Sequence, residues 1–472
     1  MRLLTPIIIS VALTGCSLLH KPLPVPDKSV PDKFIYRLQA TQPPQKSQSW
    51  LAALHDPLLA DLIAKAERQN LGLAELKARL VEAEATQTID TSTLLPRLDG
   101  QASADINHRL GRKETNINPS TTQQGRTSGT YTLAAKASWE VPLFGRYQSV
   151  VDGAKANVAL AEEDIKAAQL ILRAEIASAY IQLRTAQQRQ QLIKWITDIQ
   201  DQLVKLTKVR LINELASAFD LARAEQSATQ TKAQLPQTLE DEARAKLRLM
   251  ALLGQTTMDA RLDKPDNLPA PSTVNINITP ANLLRLRPDV RRAEAAVLRQ
   301  SAELGVAKAD VFPRLTLEGS IALNANLVGV SLVPGAGGVG NFGPSLTVPL
   351  FDWGQRFAKV DARYAGLVAE TARYRQTVIN AYEEAEASLN ALAQQQARLA
   401  LAANSATQAE QAAKLANVQQ REGLIDLLEQ LLVQERLLSA KQEKLDAAQS
   451  ALNAYIQLHR VFAAGETLYN GS

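Results

Sequence analysis

Leu98-Asp99-Gly100-Gln101-Ala102-Ser103-Ala104-Asp105-Ile106-Asn107 puts apolar or small residues on every second position and polar residues between them. Successive side chains of an extended chain point to opposite faces. The run therefore predicts a strand with an apolar face (Leu98, Gly100, Ala102, Ala104, Ile106) and a polar face (Asp99, Gln101, Ser103, Asp105, Asn107). Three further runs follow the same rule. Tyr131, Leu133, Ala135, Ala137, Trp139 and Val141 oppose Thr130, Thr132, Lys136, Ser138 and Glu140. Leu315, Leu317, Gly319, Ile321 and Leu323 oppose Thr316, Glu318, Ser320 and Asn324. Phe342, Pro344, Leu346, Val348 and Leu350 oppose Asn341, Ser345 and Thr347.

About ten residues is the length a tilted strand needs to cross a hydrocarbon core, with apolar residues toward lipid and polar ones toward a lumen. A soluble antiparallel sheet with one buried face produces the same alternation, so periodicity leaves both readings open. Four strands do not close a barrel, and an open edge in lipid leaves backbone groups unsatisfied. A membrane reading therefore requires several chains to share one barrel, with Asp99, Gln101, Asp105, Lys136, Glu140 and Glu318 facing its lumen. The stretches 111–129 and 326–340, rich in Gly, Ser, Thr and Asn, read as the loops joining each strand pair. Gly335-Ala336-Gly337-Gly338-Val339-Gly340 matches a dinucleotide fingerprint. That motif needs a strand before it and a helix N-terminus after it, whereas here it falls between two strands.

The rest of the chain is helical in pattern. Aromatic residues are 4% and hydrophobic residues 46% of the sequence, which favours long packed helices over an aromatic globular core. A helical pattern starts near Trp50 and Asp56-Pro57-Leu58. No proline lies between Pro142 and Pro236, and none follows Pro349. Uninterrupted helices are expected from about Tyr147 to Val209 and from Arg356 to Arg421, each roughly 95 Å long at 1.5 Å per residue. Ile165, Ala168, Leu172, Ile176, Ala179, Leu183 and Ala186 step by three and four as a coiled-coil seam does.

The two halves resemble each other. Leu95-Pro96-Arg97-Leu98 returns as Phe312-Pro313-Arg314-Leu315, and Val141-Pro142-Leu143-Phe144 as Val348-Pro349-Leu350-Phe351. Glu175 falls opposite Glu384, and Gln187 opposite Gln396. A duplication is expected, with repeats at 50–254 and 281–465, a proline-rich linker at 255–280 and a tail at 466–472.

The N-terminus reads as a lipoprotein signal. Residues 1–15 hold a basic start and an apolar run, and Leu13-Thr14-Gly15-Cys16 forms the cleavage site. Cleavage leaves Cys16 for acylation, and multiple acyl chains hold a protein on a bilayer. Ser17, where an aspartate would retain the chain at the inner membrane, favours the outer one. Residues 16–49 carry six prolines and read as an extended tether. No other run is long and apolar enough for a transmembrane helix. A net charge of +4 with 21% charged residues gives no nucleic-acid footprint. His20, His55, His108 and His459 are scattered, and no catalytic or metal-ligand spacing occurs. No enzyme, metal or cofactor is expected.

Trp50 with Asp56-Pro57, Asn70-Leu71, Leu95-Pro96, Trp139 with Leu143-Phe144-Gly145-Arg146, Arg287-Pro288-Asp289-Val290 with Ala293-Glu294, and Phe312-Pro313-Arg314-Leu315 stand in an order and spacing that resembles the TolC-like outer-membrane factor family, in its NodT-type lipoprotein branch. The resemblance implies a mixed α/β membrane protein. Each protomer of a homotrimer would give four transmembrane strands to a twelve-stranded barrel, above a helical coiled-coil tunnel in the periplasm. It implies a passive efflux duct in the outer membrane of a Gram-negative bacterium, docked on a periplasmic adaptor and an inner-membrane pump. The exit duct of a type I protein-secretion system is the alternative within the class, and an acylated coiled-coil scaffold the alternative outside it.

The resemblance also implies an acidic constriction at the helix tips. Arg421-Glu422-Gly423-Leu424-Ile425-Asp426-Leu427-Leu428-Glu429 matches that turn, which puts Asp426 and Glu429 at the aperture. The turn is shorter than the family's, Gln420 stands where an aromatic is expected, and Arg210 to Asp220 in the first half has no glycine. Arg421 is the remaining latch candidate.

Overall fold

The computed structural model describes residues 31, 33–36, 50–108, 127–269, 280–328 and 331–462. Their order is α1 (Pro57–Gln69), α2 (Leu71–Ser92), β1 (Arg97–His108), β2 (Thr127–Val141), α3 (Arg146–Ile212), α4 (Ala218–Lys232), α5 (Gln234–Leu252), α6 (Pro280–Leu286), α7 (Pro288–Ala309), β3 (Arg314–Val328), β4 (Ser331–Thr347), α8 (Gln355–Arg421) and α9 (Leu427–Val461). Two compact units divide the chain. Of the described residues, one holds those within Leu80–Ala161 and Ala293–Tyr374, and the other those up to Arg79, those within Glu162–Arg292 and those from Arg375 onward.

The first unit contains the sheet. All four strands are antiparallel in the order β1-β2-β3-β4, so β2 and β3 join the two halves of the sequence. At 12, 15, 15 and 17 residues, the strands exceed the expected ten. The glycine-rich run 335–340 is not a loop, as its composition suggested, but lies inside β4. Backbone pairing with β3 overrides the weak intrinsic preference of glycine for strands, with a register shift between Leu323 and Ala325. Val348 and Leu350 lie beyond the end of β4.

Each strand pair leads into a helix through the same device. Phe144-Gly145 and Trp353-Gly354 both take left-handed backbone angles, with φ of 55° and 78° in the first pair and 55° and 81° in the second. An L-residue resists that region by about 1–2 kcal/mol, and the stack of Phe144 on Phe312 at 4.7 Å offsets it. Asp352 caps the second of these helices through the N–H groups of Gly354 and Arg356. Buried Asp310, just past α7, then ties three element starts together: Arg146 of α3 at 2.5 Å, Arg314 of β3 at 2.9 Å and Lys359 of α8 at 2.8 Å.

α3 and α8 each run 67 residues, about 100 Å. Of the expected seam, Leu172, Ile176, Ala179, Leu183 and Ala186 are buried, while Ile165 and Ala168 are half-buried. No helix among the described residues is long and apolar enough to cross a membrane.

The second unit has the hydrophobic core. Asp56 caps α1 by accepting from the Leu59 N–H, and Leu59, Leu62, Ile63 and Ala66 face inward. The same carboxylate accepts from the Tyr180 hydroxyl at 2.7 Å. Burial, reinforced by the Asp56 carboxylate and opposed by Arg184, pushes that hydroxyl up to about 12. On α9, His459 is buried between Trp50, stacked at 5.8 Å, and Tyr455, edge-on at 4.4 Å. Neither ring nitrogen has a hydrogen-bond partner, and burial pushes the imidazole down to about 3.

Candidate conduit surfaces

The sheet register decides which side chains share a face. Across it run the rows Asp99–Lys136–Ser320–Asn341, Ser138–Glu318–Gly343, Gln101–Ala134–Ala322 and Ser103–Thr132–Asn324. Asp105 pairs with Thr130, and Glu140 with Thr316. All six residues expected on the polar face therefore lie on one side. Asp99 sits opposite Lys136, a favourable cross-strand pair, and also meets Arg97 at 2.8 Å. Four carboxylates (Asp99, Asp105, Glu140, Glu318) against three cations (Arg97, Lys136, Arg314) leave this face acidic by one charge.

The other face carries Leu98–Ala137–Gly319–Phe342, Ala102–Leu133–Leu323–Gly338 and Gly100–Ala135–Ile321–Gly340. Phe342 is 81% exposed, Leu98 75% and Ile321 65%. A soluble sheet with one buried face would cover these side chains. Here one sheet presents a polar and an apolar face, both open, which suits water on one side and hydrocarbon on the other.

The helix tips form the second surface. α3 and α8 begin and end 209 positions apart, Arg146 against Gln355 and Ile212 against Arg421. The turns after them match bond for bond. The Leu215 N–H reaches the Arg210 carbonyl at 2.7 Å, and the Leu424 N–H the Gln419 carbonyl at 2.8 Å. Glu214 (φ 59°) takes the left-handed position that Gly423 (φ 72°) takes in the second turn.

Ser217 caps α4 in a capping box with Asp220, and Asp426 caps α9 with Glu429 as its third helical residue. The Glu429 and Leu428 N–H groups, with Arg210 beside them, hold the Asp426 carboxyl below its usual range. The Ser217 hydroxyl and N–H do the same for Asp220.

Asp426, just ahead of the helix, thus accepts from the Glu429 N–H at 2.8 Å. The cation that meets Asp426 is Arg210, with Nη1 2.9 Å from Oδ2, whereas Arg421 is exposed at the end of α8. Sequence reading passed over Arg210. Its one local signal was a basic side chain in the last turn of a helix, a position favoured by the helix dipole. Ile212, Leu215, Phe219 and Leu424 are all largely exposed around these turns. Cys16, the expected lipidation site, lies outside the described residues. No cluster of metal-ligating side chains occurs among those described.

Comparison with known proteins agrees with this geometry. The family described as outer membrane efflux protein matches residues 62–255 and 279–464. Nodulation protein T of Rhizobium leguminosarum bv. trifolii is 28% identical over 97% of this chain and 96% of its own. The toluene efflux pump outer membrane protein TtgF of Pseudomonas putida is also 28% identical, over 97% and 96%. Among solved structures, the outer-membrane channel OprN superposes with a TM-score of 0.78 at 30% identity, covering 93% of this chain and 99% of that one.

Proposed function

The chain belongs to the outer membrane efflux protein family, and from that premise we propose how its surfaces divide the work of export. It is the outer-membrane channel component of a tripartite efflux system, a conduit from the periplasmic side to the exterior. Three protomers close a twelve-stranded barrel by pairing β4 of one with β1 of the next. The observation that carries this is the sheet itself, exposed on both faces and open at both edge strands. An edge strand in lipid must be paired. A second copy of the chain offers the complementary edge strand, the 12 residues of β1 pairing along part of the 17 of β4.

Asp99, Gln101, Asp105, Lys136, Glu140 and Glu318 line the lumen, and their acidic excess favours cations over anions. Asp426 and Glu429 ring the aperture at the helix tips, with Arg210 holding Asp426 in place and Arg421 beside it. The exposed apolar residues of the two turns meet a periplasmic adaptor, which couples the duct to an inner-membrane pump. Cys16 carries the acyl chains that fix the protein to the outer-membrane lipid. Small toxic compounds are the cargo, and the chain performs no catalysis.

Reconstitution in planar bilayers tests the conduit. Heat-stable trimers and discrete cation-preferring conductance steps are expected, and a monomer without conductance after acyl-chain removal would overturn the reading. In the same assay, Asp426→Ala combined with Glu429→Ala should weaken the cation preference. Unchanged ion selectivity would exclude these residues from the aperture.

A further inference from the structure

Glu386, on α8, is 7% exposed. A buried carboxylate is costly unless its charge is met by a cation or by several donors. Three donors converge on Glu386, and two of them come from 350 positions away. The Ile35 N–H donates to Oε1 at 2.6 Å and the Tyr36 N–H to Oε2 at 3.0 Å. The third is the Tyr382 hydroxyl one helical turn earlier, at 2.7 Å from Oε1.

Next to these amides the Phe34 ring lies parallel to Tyr382 at 6.0 Å and tilted against Phe462 at 5.6 Å, packed on the main core. Ile35 and Tyr36 point outward, 76% and 48% exposed. The segment is thus held by its backbone and one ring, in a stretch that belongs to no helix or strand.

The dependence is mutual. Without the segment, Glu386 would keep a single donor in a buried site. Without Glu386, two consecutive amides would lose charge-assisted bonds, the stronger kind.

We propose that Glu386, with the Phe34 seat between Tyr382 and Phe462, is a clamp that makes residues 34–36 the point where the acylated N-terminal segment transfers its load to the channel body. The inference rests on the reading of Cys16 as the lipid anchor. With the clamp closed, the chain between Cys16 and Phe34 is residues 17–33, whose fully extended length is at most about 60 Å. Without it the tether would be residues 17–49, reaching roughly 115 Å. The clamp therefore sets how far the body can move from its acyl chains.

Trypsin reads the clamp directly, because Lys33 precedes Phe34 and Lys28 lies in the tether outside it. In the full-length, detergent-solubilised wild-type protein, cleavage after Lys28 is expected to be at least tenfold faster than after Lys33. Glu386→Ala and Phe34→Ala should each bring Lys33 cleavage to the Lys28 rate, with the heat-stable oligomer retained. Tyr382→Phe removes one donor while sparing both amide bonds, and should raise Lys33 cleavage by no more than a few-fold. If Glu386→Ala does not assemble, Phe34→Ala and Tyr382→Phe still decide the matter.

Equal cleavage at Lys28 and Lys33 in the wild type, or unchanged protection in Phe34→Ala, would overturn the clamp. Acyl labelling run in parallel separates the two ideas. Absent label with Lys33 still protected would refute the anchor at Cys16 and leave the clamp as a structural tie that bears no lipid load. Label present with Lys33 unprotected would refute the clamp alone.

Discussion

The two helix tips are built to one plan from different residues. Both close with the same pair of backbone hydrogen bonds, both need a left-handed residue, and both restart with a side-chain cap. The second turn supplies Gly423 for the left-handed position, whereas the first forces Glu214 into it. The second caps with a carboxylate, Asp426, that also holds Arg210, whereas the first caps with a neutral hydroxyl, Ser217. The backbone shape is the shared requirement; both tips place a carboxylate at the third helical position, Asp220 and Glu429, and the second adds another at the cap itself. This is why the second turn is the stronger candidate for an ion-sensing aperture.

Acid is the most direct way to strip that charge, but the largest acid effect is expected elsewhere. Buried His459 stays neutral down to about pH 3 in the folded chain, while an unfolded histidine takes a proton below about 6.5. Its folded value is the lower one, so stability is full above 6.5 and falls as pH drops, by roughly 1.4 kcal/mol per pH unit. Urea midpoints between pH 7 and 4 should show this slope, and His459→Leu should flatten it. A slope that persists in His459→Leu would place the acid-sensitive group somewhere else. That variant is also the background in which the tips are best compared. The Asp426 contribution is present above the ordinary value of 3.8 and is lost only as pH falls through its lower folded value, below most of the His459 window.

Next in size is cap removal. Asp426→Ala should cost about 1–2 kcal/mol by exposing the first turn of α9, and Ser217→Ala about 1 kcal/mol. Asp426→Asn keeps a capping oxygen but not the charge, so it should lose only the Arg210 pair. At a partly exposed site that pair contributes less than about 1 kcal/mol. If Asp426→Asn proves as damaging as Asp426→Ala, the ion pair dominates and the two tips differ more deeply than their capping suggests.

Smallest are the left-handed positions. Gly423→Ala should destabilise by about 1 kcal/mol, and its added Cβ meets no neighbour within 4 Å, so the cost is conformational. Glu214→Gly should stabilise by roughly 0.5 kcal/mol, relief of strain being partly offset by the entropy of glycine. Calorimetry on the two variants tests whether the turns share one backbone demand, and equal signs would show that they do not.

What the sequence carried by itself was local. The long helices were legible to within a few residues because proline is absent and Gly145 and Gly354 mark their starts. All four strands were legible from alternation of period two, the fourth only in its second half, 341–347, and the duplication from motifs repeated in the same order. The first half of β4, 331–340, was read as loop because its glycine composition argues for one, and pairing with β3 makes it a strand.

Tertiary structure alone decided the pairings across long separations. Arg210 meets Asp426, 216 positions away, and the amides of residues 35 and 36 meet Glu386. Asp310 gathers Arg146, 164 positions earlier, and Lys359, 49 positions later. The physical reason is common to all three. Helix and strand periods are set by bonds within a few residues, whereas a carboxylate's partner is whichever donor the packed helices bring within about 3 Å, and no local pattern encodes that choice.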